Sequence, residues 1–145
     1  MDKQPQRVIL IIDDQGDDRG VLTWQLGKLS IGNRLIQLED GHEAICYLTG
    51  QGRYADRLQF PFPAAMFLDL QMPVVDGWQV LDWIHGTGLK GQMRIFVHST
   101  PKNVEEVNRL YYLGIDSFLK KPLQESELRN LIEHFPEPWE SIESQ

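Results

Sequence analysis

Short apolar runs alternate along the chain with segments in which apolar residues recur at helical spacing. The runs predict five strands, at residues 8–12, 35–38, 64–68, 95–97 and 115–119. Between and after them, apolar residues three and four positions apart predict five helices, the clearest of which carries Leu128, Leu131, Ile132 and Phe135. This alternation is typical of an α/β fold, an open parallel sheet covered by helices.

Five strands and five helices account for the chain up to about residue 135. We therefore expect residues 1–145 to form a single domain with its core at about 7–135. Residues 136–145 are expected to be a short acidic tail. The stretch 50–63 is long for a connection within a domain, which indicates a functional or disordered loop or a tolerated surface insertion.

The composition excludes several classes of protein. The formal net charge of −7 argues against direct binding to nucleic acid, which depends on Lys and Arg. We expect no membrane insertion and a cytoplasmic location, because no apolar run approaches the length of a membrane span and the N-terminus does not resemble a signal peptide. Cys46 is expected to be a buried thiol, and His42, His85 and His134 show no metal-ligand spacing.

Polar side chains follow four of the predicted strands. Asp13 and Asp14 follow the first, Asp69 the third, Ser99 the fourth and Lys121 the fifth. The carboxyl ends of neighbouring parallel strands converge on one crevice, so we expect these groups to meet there. Three carboxylates in one crevice repel one another, and a hard divalent cation relieves that repulsion. The sequence therefore predicts a site for a metal ion and a phosphoryl group.

The order and spacing of these groups, together with Pro73 and the pair Asp76–Gly77 after Asp69, resemble the receiver domain of bacterial two-component response regulators. The resemblance covers about residues 7–135. It implies a flavodoxin-like (βα)5 fold, with a doubly wound five-stranded parallel sheet in the strand order 2-1-3-4-5. The 50–63 extension is also similar to one in stand-alone receivers, including regulators that serve bacterial phytochromes.

The resemblance assigns a role to each strand-end residue. Asp69 is the expected phosphoacceptor. Mg²⁺ is the expected cofactor, held by Asp13, Asp14, Asp69 and the backbone carbonyl of Gln71. Lys121 is expected to pair with a phosphoryl oxygen.

Four further expectations concern the surroundings of the phosphoryl group. Ser99 is expected to donate a hydrogen bond to it and to act as a switch together with Phe118. The Lys121–Pro122 peptide bond is expected to be cis. Thr100 stands where the family usually has Ala or Gly, so it bears on the lifetime of the phosphate.

The function implied is that of a stand-alone signalling protein and not an enzyme, beyond self-catalysed phosphoryl transfer and autodephosphorylation. Its partner is a sensor histidine kinase or a histidine phosphotransfer protein. Its output surface comprises helix 4, strand 5 and helix 5 at about 102–135, which is also a possible homodimer interface. A phosphorylation-independent scaffold is one alternative.

Two enzyme-like alternatives fit the residues less well. An aspartate-nucleophile phosphatase of the haloacid dehalogenase type has an acid two residues after the nucleophile, where this chain has Gln71. A nucleotide-binding protein of related fold needs a glycine-rich phosphate loop after the first strand, where residues 13–18 are mainly acidic.

Overall fold

The computed structural model describes residues 6–89 and 91–142. Its strands are β1 (Val8–Ile12), β2 (Arg34–Leu38), β3 (Ala65–Leu68), β4 (Arg94–Ser99) and β5 (Ser117–Lys120). Its α-helices are α1 (Gly16–Lys28), α2 (Gly41–Thr49), α3 (Gly77–Thr87), α4 (Val104–Tyr112) and α5 (Glu125–His134). All strand pairs are parallel, in the order β2-β1-β3-β4-β5. The predicted α/β fold and strand order are confirmed.

The central strands are continuous apolar runs because helices cover both faces of the sheet. Alternate residues of β1 and β3 point to opposite faces, as the pleat requires. Leu10 and Met66 belong to the core cluster that also contains buried residues of α2, α3 and α4. Ile11 and Phe67 belong to the cluster that contains buried residues of α1 and α5. No helix in the described residues is long and apolar enough to cross a membrane.

The loop between β3 and α3 is fixed at both ends. Asp76 caps α3 by accepting a hydrogen bond from the Gln79 N–H, and the Gln79 side chain accepts one from the Asp76 N–H, both at 2.9 Å. Gly77 donates its N–H to the Leu70 carbonyl at 2.9 Å. The first residue of α2, Gly41, donates to a carbonyl of the same loop at 3.2 Å. Two helices therefore position the segment that follows β3.

Residues 136–142 are not a free tail, and the packed region extends beyond the predicted core limit of about 135. The buried Asn33 side chain donates to the Pro138 carbonyl at 3.1 Å and accepts from the Glu140 N–H at 2.7 Å. The Trp139 ring stacks on Phe96 with centroids 5.8 Å apart. We call residues 138–142 the C-terminal clasp. The large apolar area of an indole ring favours its docking on the sheet.

The 50–63 stretch is an ordered loop built around Arg57. The guanidinium of Arg57 donates to the carbonyls of Tyr47, at the end of α2, and of Phe60, at 2.8 and 3.0 Å. The Tyr54 ring packs against both of these aromatic rings, with centroids 4.9 and 5.3 Å away. The guanidinium of Arg57 also donates to the Leu48 carbonyl in the last turn of α2 at 2.9 Å, where a helix leaves carbonyls without a helical partner.

Replacing Arg57 with methionine is expected to lower the free energy of unfolding by about 2 kcal/mol, because the carbonyls lose a charged donor. The matched variant Arg53→Met removes an exposed guanidinium that pairs with Glu43, and its cost should stay below about 1 kcal/mol. Urea unfolding followed by circular dichroism measures both. Equal losses for the two variants would contradict the role given to Arg57.

Candidate functional site

The carboxyl ends of β1, β3, β4 and β5 meet at one cavity of about 240 Å³. Its lining comprises Asp14, Gln15, Asp69, Gln71, Ser99, Thr100 and Lys121. Asp13, Asp69 and Ser99 are buried, with 3–4% of their surface exposed. Each is the last residue of a strand or the first after it, because the strand ends are where an interior carboxylate or hydroxyl can still reach solvent. The structure thus brings together the predicted strand-end residues Asp13, Asp14, Asp69, Ser99 and Lys121.

The carboxylates form a compact group of oxygen ligands. Oxygens of Asp13, Asp14 and Asp69 all lie within 4.8 Å of one another. Burial, together with the charges of Asp13 and Asp14, raises the pKa of Asp69 to about 6. A hydrogen bond from the Gln71 backbone and the charge of Lys121 act in the opposite direction. Carboxylate oxygens at this separation fit a hard divalent cation such as Mg²⁺ or Mn²⁺.

Lys121 holds the positive charge of the site. Its Nζ lies 2.8 Å from Asp13 Oδ2, 2.9 Å from Asp18 Oδ2 and 3.6 Å from Asp69 Oδ1. Burial lowers the pKa of Lys121, but hydrogen bonds to Asp13 and Asp18 and the charge of Asp69 outweigh it, so the pKa lies above its usual value. Lys121 is therefore an ammonium ion. The peptide bond to Pro122 is cis.

Asp18 is a site residue that the sequence did not indicate. Its position in the first turn of α1 suggested only a helix-start acid that complements the macrodipole. In the structure its carboxylate accepts a hydrogen bond from Lys121. No spacing rule connects residues 18 and 121, and only the docking of α1 on the same face of the sheet as α5 brings them together.

The remaining predicted residues lie at different distances from the carboxylates. Ser99 and Thr100 line the cavity. Phe118 is half-buried on β5, where it pairs in register with Val97 of β4. Phe118 lines a separate groove with Tyr111 and not the cavity of Asp69.

His98, immediately before Ser99, is a buried titratable group beside the site. Only 5% of its surface is exposed, and its Nε2 has no hydrogen-bond partner within the described part of the chain. Burial and, to a smaller extent, the charge of Lys121 lower the pKa of His98 to about 4. At neutral pH the ring is therefore uncharged, because the site disfavours a second cation.

The low pKa of His98 makes stability depend on pH. His98 binds a proton near pH 6.5 in the unfolded chain but only near pH 4 in the folded chain. The free energy of unfolding is therefore unaffected by His98 above about pH 6.5 and falls as the pH drops below it. We expect the titration of His98 to lower the free energy of unfolding of the wild type by about 2 kcal/mol at about pH 4.5 relative to pH 7. Urea unfolding of the wild type and His98→Leu at both pH values isolates this contribution from the carboxylates. His85→Leu is the control, and an unchanged pH slope in His98→Leu would contradict the assignment.

Comparison with known proteins agrees with this geometry. The family model described as the response regulator receiver domain matches residues 9–133. Response regulator Rcp1 from Synechocystis sp. is 28% identical, over 95% of this chain and 92% of its own length.

Two solved structures extend the comparison. The Mn²⁺-bound form of Rcp1 has a TM-score of 0.75 and 29% identity, covering 96% of each chain. The phosphorylated cyanobacterial phytochrome response regulator RcpA has a TM-score of 0.75 and 25% identity, covering 92% of this chain and 94% of its own. Both align over nearly the whole length of this chain.

Proposed function

This chain belongs to the response regulator receiver domain family, and from that premise we propose that it accepts a phosphoryl group on Asp69 from a phosphohistidine partner in an Mg²⁺-dependent reaction. Proteins of this family are generally non-enzymatic signalling proteins that bind a divalent metal and partner with histidine kinases or phosphotransfer proteins. One observation carries the proposal. Asp69, Asp14, Ser99 and the Lys121 ammonium line a single cavity, and the Asp13 carboxylate lies within 4.8 Å of the other two carboxylates.

The proposed transfer needs one nucleophile and charge neutralisation. An Asp69 carboxylate oxygen attacks phosphorus while the bond from phosphorus to the donor imidazole nitrogen breaks. The electron pair returns to that nitrogen, which then takes a proton. The Lys121 ammonium, now shared by Asp13, Asp18 and Asp69, pairs with a phosphoryl oxygen, and the Ser99 hydroxyl donates to another. Positioning and electrostatic stabilisation account for most of the catalysis in such transfers.

The metal ligands follow from the carboxylate group. Asp13, Asp14 and Asp69 would hold Mg²⁺, with the backbone carbonyl of Gln71 as the fourth protein ligand. When bound, the ion offsets the negative charge of the carboxylates and of the incoming phosphoryl group. The Mn²⁺-bound form of Rcp1, a relative of similar structure, supports a divalent ion in such a site.

We place the output on the surface of α4, β5 and α5, where Tyr111 and Phe118 line a groove. Tyr112, also on α4, is a further aromatic side chain of this surface, with 72% of its surface exposed. Aromatic rings that are exposed in this way suit a protein partner or a second copy of the chain. The likeness to a phytochrome response regulator favours a sensor kinase of the phytochrome type as the phosphodonor.

The proposal predicts a phosphate adduct that depends on Asp69 and on Mg²⁺. We expect intact mass spectrometry after incubation with acetyl phosphate and Mg²⁺ to show one phosphate on the wild type. Asp69→Asn, or removal of Mg²⁺ with EDTA, should abolish the adduct. The matched variant Asp17→Asn changes an exposed acid outside the cavity and should leave it intact.

The alternatives give different results in the same experiment. No adduct on the wild type, together with no binding of beryllofluoride, would favour a phosphorylation-independent scaffold. Steady hydrolysis of many phosphate monoesters would favour a phosphatase. An adduct that persists in Asp69→Asn would place the phosphoacceptor elsewhere.

A further inference from the structure

The outer face of α2 carries an imidazole and a thiol in contact. The buried face of this helix consists of Gly41, Ala44, Tyr47 and Leu48. His42 and Cys46 lie outside that set, four residues apart, so they share one face of the helix. His42 is exposed and Cys46 is half-buried. The expectation of a buried thiol is therefore wrong, and nothing in the sequence indicated that the two side chains are in contact.

The separation of the two side chains matches a metal chelate. His42 Nε2 lies 3.6 Å from Cys46 Sγ. Bond lengths of about 2.0 Å to nitrogen and 2.3 Å to sulfur, joined at a tetrahedral angle, place the two ligand atoms about 3.5 Å apart. The two groups therefore stand at the separation that Zn²⁺ imposes on a pair of ligands.

We propose that His42 and Cys46 form a bidentate site for a divalent cation that prefers sulfur and nitrogen ligands, of the Zn²⁺ or Cd²⁺ kind. The thiol loses its proton to solvent as the bond from sulfur to metal forms. Solvent or other ligands occupy the remaining positions. Thiolate and imidazole select such metals, whereas the carboxylates at Asp69 select Mg²⁺ or Mn²⁺. The two sites thus differ in place and in metal, and the proposal does not depend on phosphorylation.

Both ligands are needed for the affinity expected of a chelate. Holding the second group next to the first raises affinity about a hundredfold over either group alone. His42→Gln should therefore weaken binding by about that factor. Cys46→Ser should remove the sulfur bond altogether.

A Cd²⁺ titration of the full chain, with excess Mg²⁺ to fill the carboxylate site, tests the proposal. The readout is the ultraviolet charge-transfer absorption of a thiolate–cadmium bond, which can come only from Cys46 because the sequence has a single cysteine. We expect saturation at one equivalent in the wild type and in His85→Gln, whose imidazole packs against Tyr112 on α4. The band should vanish in Cys46→Ser.

Two results would overturn the proposal. Absence of the band at one equivalent would mean that the pair is only a hydrogen bond between thiol and imidazole. An equal affinity in His42→Gln and the wild type would mean that the thiol binds alone. Circular dichroism of each variant separates these outcomes from loss of folding.

Discussion

Gly77→Ala is expected to destabilise the protein by about 3 kcal/mol and to disable the phosphoacceptor site. A methyl group at residue 77 would overlap the Asp69 carbonyl oxygen and lie 2.7 Å from Leu70 Cα. These are backbone atoms of the segment that carries Asp69, so the segment itself must move. A misplacement of about 1 Å can slow a reaction about a hundredfold, and we expect that loss in the rate of phosphorylation.

Gly86→Ala is the matched control because Gly86 lies in the same helix and has nothing within 4 Å of an added methyl group. It should stabilise the protein by about 0.5–1 kcal/mol through helix propensity and leave phosphorylation unchanged. Urea unfolding and the rate of adduct formation with acetyl phosphate measure both variants. If Gly77→Ala were as stable and as reactive as the wild type, the loop would accommodate the methyl group, and the proposed overlap with the backbone of Asp69 and Leu70 would be wrong.

Lys121→Met is expected to reduce the rate of phosphorylation about 10²–10³-fold, since no other ammonium ion lines the cavity among the described residues. The variant should also lose about 3 kcal/mol of stability without Mg²⁺. Asp13, Asp18 and Asp69 would then face one another without the cation that now lies between them. Removing one partner of a buried ion group is costly because the others stay charged and desolvated.

Mg²⁺ should restore more stability to Lys121→Met than it adds to the wild type. The ion binds the carboxylates that lost their partner, and binding to the folded state alone stabilises it. Lys120→Met, which changes the exposed neighbour, is the control and should match the wild type in rate and stability. Thermal unfolding with and without Mg²⁺ gives the comparison. If Mg²⁺ stabilised all three proteins equally, Lys121 would not be the counter-ion of the carboxylates.

The sequence was most informative where a charged residue ends an apolar strand, because packing alone disfavours a charge there. An apolar run that ends in a carboxylate is unfavourable for a buried strand unless the carboxylate has a use, and Asp69 stands in that position. The geometry of parallel sheets then placed Asp13, Ser99 and Lys121 beside it without further information. Because the period of each strand and helix is local, it predicted the elements and the α/β class, whereas the strand order came from the resemblance to receiver domains.

Contacts between a side chain and backbone that is far away along the chain leave no recognisable pattern in the sequence. Asn33 holds residues more than a hundred positions away, and Arg57 satisfies carbonyls that no pattern marks. The pair of Asp18 and Lys121 depends on how α1 docks, and the pair of His42 and Cys46 on rotamers within one helix. These features arise from packing in three dimensions and have no period along the chain.

The C-terminal clasp determines where the gene can be cut or joined to another. The family match ends at residue 133, and a fragment designed to that limit would lack Trp139 and the backbone that Asn33 holds. Its cut surface would show the rings of Phe67 and Phe96 to solvent, which invites aggregation on expression. A fluorescent or affinity tag should therefore follow residue 142. If the boundary were taken from shorter receiver domains, the truncated fusion would aggregate and the protein would wrongly be judged insoluble.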